Sequence, residues 1–433
     1  MPVNPTAIGT VIGLAIAAWF AMLCRRDMVR ALLVFAAIGW IPFIRMFELS
    51  GSRITQSLVL AQVLPAVMIA VWWLGRLRGG RTPLVWSRFN RPLFLLIPLS
   101  LVALLWTLGG HDPAVPAQNV KLAVSLGQVL LVALPVGLYF VSANVIPDTD
   151  TMRAIVRLVI VMAVPSVALP FAPPEVFRYI SWTLYFALVA SPICLAMSFE
   201  RRPPIQKLGL LVLALSPVLH GLVIGKAFIY ASASISLVVV LILKARRRLL
   251  VTSLLAAAVY LLLVAVSGNW IPGPMQDLID IERQQQSWGG RAGRLALAAD
   301  TIEIWSRHPI FGVGPGNSWP YMHRYSVIDT PHNQYLNILL ELGIVGLGCF
   351  LWFIAGAVRT GIEGLGTLRD GFHRTLVVGW LGFFSGLAAS ALTGDFIIHS
   401  IRNDGLQMFR GYYLQWIFLG MVVRAIDIER SAE

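Results

Sequence analysis

The chain has 433 residues, 57% of them hydrophobic and only 13% charged, with a mean hydropathy of +0.76. Water-soluble domains carry about a quarter charged residues, so a soluble enzyme, a secreted disulfide scaffold and a disordered or fibrous chain are all excluded. Thirty-four Lys and Arg against 21 Asp and Glu leave a formal charge of +13, which in a membrane chain first reports orientation, so no nucleic-acid partner is expected.

Apolar runs of roughly the length that crosses a hydrocarbon core lie near residues 6–23, 28–44, 55–74, 92–109, 120–141, 154–171, 181–198, 208–224, 228–243, 249–267, 334–357, 375–393 and 406–423. The first has no positive residue before it and reads as a retained helix. Cys24, Cys194 and Cys349 fall in or beside these runs without metal or disulfide spacing and read as packing residues. The expectation is an all-α, polytopic helical membrane protein with 12–13 transmembrane helices. Residues 1–267 form an N-terminal bundle of about ten helices, 268–333 a large, partly helical loop, and 334–433 the last helices.

Basic clusters punctuate alternate loops: Arg76, Arg78, Arg81, Arg88 and Arg91; Arg201, Arg202 and Lys207; Lys244, Arg246, Arg247 and Arg248. The positive-inside rule makes these loops cytoplasmic and places the 268–333 loop, nearly balanced in charge, on the outer face.

That loop is far longer than a connection between spans needs, so it is where function is expected. Leu295, Ala298, Ile302 and Trp305 recur at helical spacing, predicting a short amphipathic helix at the membrane surface. Pro309 ends it, and GVGPGN, with Gly312, Gly314 and Gly316, reads as a tight turn. No Lys-Ser or Lys-Thr follows, which disfavours a phosphate loop. The chain then re-enters the membrane through TPHNQYLNILLELGIVGLG. His332 stands at the outer mouth, and three whole helical turns would put it on one face with Gly343, with Tyr335 and Leu339 between them. Gly343, Gly346 and Gly348 would admit a close neighbour.

Arg291 and Arg294, three apart near a helix N-terminus, suit bidentate contacts to a phosphate, although two solvated arginines would look the same. Lys226, in the short turn GKAF, is a third cation on that side; a snorkelling lysine is its bland alternative. Glu341 is an intramembrane carboxylate expected to face the bundle interior. His220, Arg178, Asp395, His399 and Arg402 form no deciding pattern. His308, His323 and His332 lack ligand spacing, so no metal is expected, and no Ser-His-Asp arrangement is present.

The segment Gly290–Phe353, with RAGRL, PIFGVGPGN and PHNQYLNILLELGIVGLGCFLWF, resembles the signature region of the O-antigen ligase and Wzy polymerase superfamily. It holds an Arg and a Leu separated by three residues (Arg291, Leu295) and a His and a Gly separated by ten (His332, Gly343). The upstream Arg turn common in the family is replaced here by IGKAF, so Lys226 would stand for the Arg. The resemblance implies a GT-C-like glycosyltransferase of the bacterial inner membrane with its site facing the periplasm. It implies transfer of O-antigen from undecaprenyl diphosphate to lipid A-core, without cofactor or metal. His332 and Arg291 would be catalytic, and Arg291, Arg294, Lys226, Tyr335 and Trp305 would bind substrate. A Wzy-type polymerase or a protein O-oligosaccharyltransferase shares the donor. A lipid-linked-glycan transporter is the reading from another class, disfavoured by the scarcity of charge in the middles of the runs.

Overall fold

The computed structural model describes residues 5–40, 45–49, 56–79, 83–109, 122–173, 176, 182–223, 227–244, 294–323, 330–369 and 371–431. The helices are α1 (Pro5–Arg26), α2 (Met28–Ile38), α3 (Leu60–Gly79), α4 (Asn90–Gly109), α5 (Leu122–Val145) and α6 (Thr149–Ala163). They continue as α7 (Thr183–Ser198), α8 (Pro204–Val223), α9 (Ala227–Lys244), α10 (Arg294–Arg307), α11 (Ser318–Met322), α12 (Gln334–Thr367), α13 (Phe372–Ser390), α14 (Ile401–Asp404) and α15 (Tyr413–Ser431). Among the described residues, five helical stretches are long and apolar enough to cross a membrane: Asn90–Gly109, Leu122–Val145, Thr149–Phe171, Pro204–Leu222 and Gln334–Thr367. The protein is an all-α, multi-pass membrane protein.

One departure lies in the second run. Its helix stops at Ile38, where Gly39 N–H closes back on Phe35 O (2.8 Å). A short antiparallel hairpin follows, β1 (Arg45–Leu49) on β2 (Gln56–Val59), with Arg45 opposite Val59 and Leu49 opposite Gln56. Residues 249–267, read as a tenth span, and residues 268–293 and 324–329 of the loop fall outside the described residues.

The chain divides into two compact units. The first comprises residues 1–155, 290–360 and 391–433. Its centre is α5, buried along most of its length and packed by α3, α4 and α15. Gly420 of α15 sits against Ser142 so closely that a side chain there would overlap the Ser142 hydroxyl, the small-residue contact that lets membrane helices approach. Tyr139 donates to Asn90 Oδ1 (2.6 Å), to which Ser87 Oγ also donates (2.8 Å), so the buried polar groups at the start of α4 are matched. The second unit, residues 156–289 and 361–390, holds α7, α8, α9 and α13. There Gly382 and Gly386 of α13 lie on the Ser232–Ser236 backbone of α9.

Candidate active site

The re-entry helix α12 is broken. Gly343 has φ 68° and ψ −168°, so the helix stops and restarts within what the sequence presents as one apolar run. The break releases backbone groups that need partners, and the glycine-rich loop supplies them. Val313 N–H donates to Leu340 O (2.8 Å), Gly314 N–H to Glu341 O (2.9 Å), and Ile344 N–H to Pro309 O (2.9 Å). Both sides of this contact require glycine. Gly312 (φ 67°) and Gly343 have backbones that L side chains rarely adopt, and a Cβ on either would overlap the opposing chain, Leu340 O in one case and Ile310 O in the other. GVGPGN is thus a docked loop fixed to the re-entry helix, where the sequence suggested only a turn. Thr107 of α4 closes the other side, its hydroxyl within reach of the carbonyls of Ala103 (2.8 Å) and Val313 (3.0 Å).

Beneath the loop, Glu341 is buried as expected, but it turns toward the loop: its carboxylate faces the Gly316 backbone, the Ser318 hydroxyl and the Arg402 guanidinium. Arg402, also buried, donates from Nε to Gly316 O (2.9 Å) and lies 5.6 Å from the Trp319 ring centre. Arg402 therefore has a place that its sequence context did not reveal: it clamps the far end of the loop.

The loop helix α10 forms, but its buried stripe differs from the expected one. Leu297, Thr301 and Ile304 are buried, while Ile302 is exposed and Ala298 and Trp305 are partly so. Leu297 and Ile304 pack with Val313, Tyr321, Met322 and Leu340. Apolar residues occupy both faces of this helix, and the docked loop decides which is covered. Trp305 donates from Nε1 to Pro309 O (3.1 Å), the same carbonyl that holds Ile344.

His332 is exposed and has φ 47°; among the described residues no other non-glycine has a positive φ. It precedes α12, so the three-turn argument that put it on one helical face with Gly343 does not apply. Its neighbours are fixed. Thr330 and Pro331 are buried, and Asn333 caps the helix, Oδ1 accepting from Tyr335 N (3.0 Å) and Leu336 N (3.2 Å). Gln334 is buried and bonded at both ends of its amide: Nε2 to Ile398 O (2.5 Å), and Oε1 accepting from Ile397 N (2.8 Å) and Phe396 N (3.2 Å). An exposed imidazole on so tightly held a backbone can only swing about its own side-chain bonds. Tyr335, one residue into α12, is half-buried, with its ring 5.9 Å from that of Phe350.

Of the other expected site residues, Arg294 opens α10, while Arg291 and Lys226 lie outside the described residues. Among those described, no three His, Cys, Asp or Glu side chains group in a way that could hold a metal ion.

Residues 222–351 match the family model described as Wzy_C, O-Antigen ligase. Over this stretch the chain is similar to the O-antigen ligase family. The matched stretch contains Lys226, Arg291, Arg294, Trp305, His332, Tyr335 and Gly343, and with them the whole dock between loop and helix. No curated protein matches the chain. Within the matched stretch the features invisible in the sequence were Asn333, Gln334 and the break at Gly343. The Asn-Gln pair before an apolar run was the one available signal, since Asn is a favoured helix cap.

Proposed function

We propose that this membrane enzyme of the O-antigen ligase family transfers O-antigen polysaccharide from undecaprenyl diphosphate to a hydroxyl of lipid A-core, at the periplasmic face of the bacterial inner membrane. The observation that carries the reading is His332: an exposed imidazole on a backbone pinned on both sides, inside the family-matched region. A sugar hydroxyl is a weak nucleophile and needs a base. A neutral imidazole is suited to the task, and such a base contributes about 10²- to 10⁴-fold. The diphosphate already leaves readily, so the remaining demand is for charge stabilisation at the leaving oxygen. Arg291 meets it as the main ligand, with Arg294 and Lys226 beside it and Tyr335 and Trp305 contacting the glycan. Attack opposite the diphosphate inverts the anomeric carbon: the hydroxyl oxygen bonds to that carbon as its bond to the diphosphate oxygen breaks, and His332 takes the proton. Neither a metal nor a cofactor takes part.

The test is transfer by the purified protein in nanodiscs with undecaprenyl-diphosphate glycan, lipid A-core and EDTA. Wild type should give high-mass lipopolysaccharide, His332→Ala about 10²- to 10⁴-fold less, and Arg291→Ala a comparable loss. Longer donor-linked chains without lipid A-core product would make the enzyme a polymerase. Full activity of both variants would remove the residue assignments.

A further inference from the structure

Within the first unit, α4, α5, α12 and the docked loop enclose a cavity of about 20 Å³. Ser100, Gln128, Pro315, Asn337, Glu341 and Ile398 are among its walls, and every residue lining it is buried. Asn337 and Glu341 are four residues apart, so they share a face of α12 just before its break at Gly343. They are only 4% and 3% exposed. Among the described residues, neither Asn337 Oδ1 nor Glu341 Oε1 has a hydrogen-bond partner, and an unmatched acceptor in a buried wall is costly. Ser100 cannot serve them, because its hydroxyl donates to Leu96 O (2.8 Å) and its oxygen is left to accept. Gln128 Nε2 donates to His399 O (2.8 Å) and its Oε1 accepts from Ile401 N (2.7 Å). An amide nitrogen carries two hydrogens, so Gln128 has one more to give. A water molecule needs room of about 10–15 Å³ and two to four polar partners, and this cavity meets both demands.

We infer that the cavity binds one water molecule, which donates to Asn337 Oδ1 and Glu341 Oε1 and accepts from Gln128 Nε2. A sodium ion would also suit the oxygens, but the Glu341 carboxylate already faces the Arg402 guanidinium, and a second positive charge there would be repelled. What the walls ask for is a neutral donor of two hydrogen bonds. The water ties together parts that no side chain joins directly: Glu341 faces the glycine-rich loop, and Gln128 holds the backbone at His399 and Ile401. The site is separate from the glycan chemistry and does not depend on it.

The full-length protein in nanodiscs would be imaged by cryo-electron microscopy, at a resolution that shows ordered water, once in sodium chloride and once in choline chloride. A single peak within hydrogen-bond reach of both Asn337 Oδ1 and Glu341 Oε1 is expected in each. A peak that leaves with sodium would make the occupant a cation, and no peak in either salt would mean that the two side chains need no third partner; each result overturns the assignment. Ser100→Val reads the same water through stability. Its added methyl groups take the room that the water uses, so the unfolding temperature should fall by about 2–4 °C. Ser100→Ala loses the same bond to Leu96 O without filling the cavity and should stay close to wild type. A rise in Ser100→Val, or a match to Ser100→Ala, would mark a cavity as well filled as hydrated and would also overturn the inference. Should Ser100→Val fail to fold, the wild-type peak decides.

Discussion

Two irregular stretches pack against the helices of the first unit, and they solve the same problem differently. The loop 309–317 is held main chain to main chain on the broken α12, through glycines that let the two backbones meet. The segment 391–411 is held by side-chain amides. Gln334 binds Ile398 O, Gln128 binds His399 O (2.8 Å) and accepts from Ile401 N (2.7 Å), Gln415 binds Ile397 O (2.8 Å), and Gln62 binds Leu406 O. A buried backbone outside helices must find partners for each N–H and C=O. Where the chains can touch, glycine suffices; where a gap remains, glutamine spans it, offering donor and acceptor at once. The glycine dock is therefore intolerant of added volume, and the glutamine dock of lost polarity.

Gly343→Ala tests the first half and should have the largest effect. The methyl group meets Ile310 O and the backbone is left-handed, so a loss of at least about 4 kcal/mol is expected, seen as failure to recover monodisperse protein in detergent. Gly348→Ala, in regular helix of the same run with open space where the methyl group would go, should be recovered and serves as the contrast. Gln334→Ala tests the second half. It strands one carbonyl and two amides and should cost about 2–4 kcal/mol, while also loosening the residue beside His332. Thermal unfolding gives the first effect, and a drop in transfer beyond it gives the second.

A titration sharpens the same comparison. His399 lies in the glutamine-held segment, outside the spanning helices, against the Tyr412 ring at 3.8 Å, and burial pushes its imidazole down to about 3. An unfolded histidine titrates near 6.5, so below that pH the unfolded chain takes up a proton that the folded one refuses. The stabilisation is complete above about pH 6.5 and is lost as pH falls toward 3, by up to about tenfold in the folding equilibrium per pH unit. His399→Gln should flatten this dependence between pH 6.5 and 5. The smallest effect is expected at Trp305: Trp305→Phe removes one hydrogen bond, to a carbonyl that keeps Ile344, and should cost about 1 kcal/mol by thermal unfolding.

The helices were readable because long apolar runs such as 92–109 and 120–141 leave little choice of structure, and α4 and α5 form there. The large loop stood out by its length, and the family match spans it. The break at Gly343 was not, because LELGIVGLG is locally a good helix and only the distant Ile310 carbonyl makes a left-handed glycine necessary there. For the same reason the apolar positions of α10 did not reveal which stripe would be covered: Ile302 and Ile304 are alike in sequence, and Leu340 and Met322 decide between them. The hairpin 45–59 was missed because the run 28–44 continues in apolarity past Ile38, where the helix has already ended.

The two docks also differ in time. The partners of the glycine loop lie about thirty residues downstream, so that contact can close as soon as α12 emerges during synthesis. Gln128 waits for a carbonyl 271 residues later. The 391–411 segment thus arrives late, and until it does, Gln334, which opens α12 beside His332, has no partner in it. Ordering the histidine's surroundings is thereby coupled to synthesis of that segment, so a product truncated before residue 396 would carry the family-matched region and still lack the bonds that hold Gln334 beside the histidine.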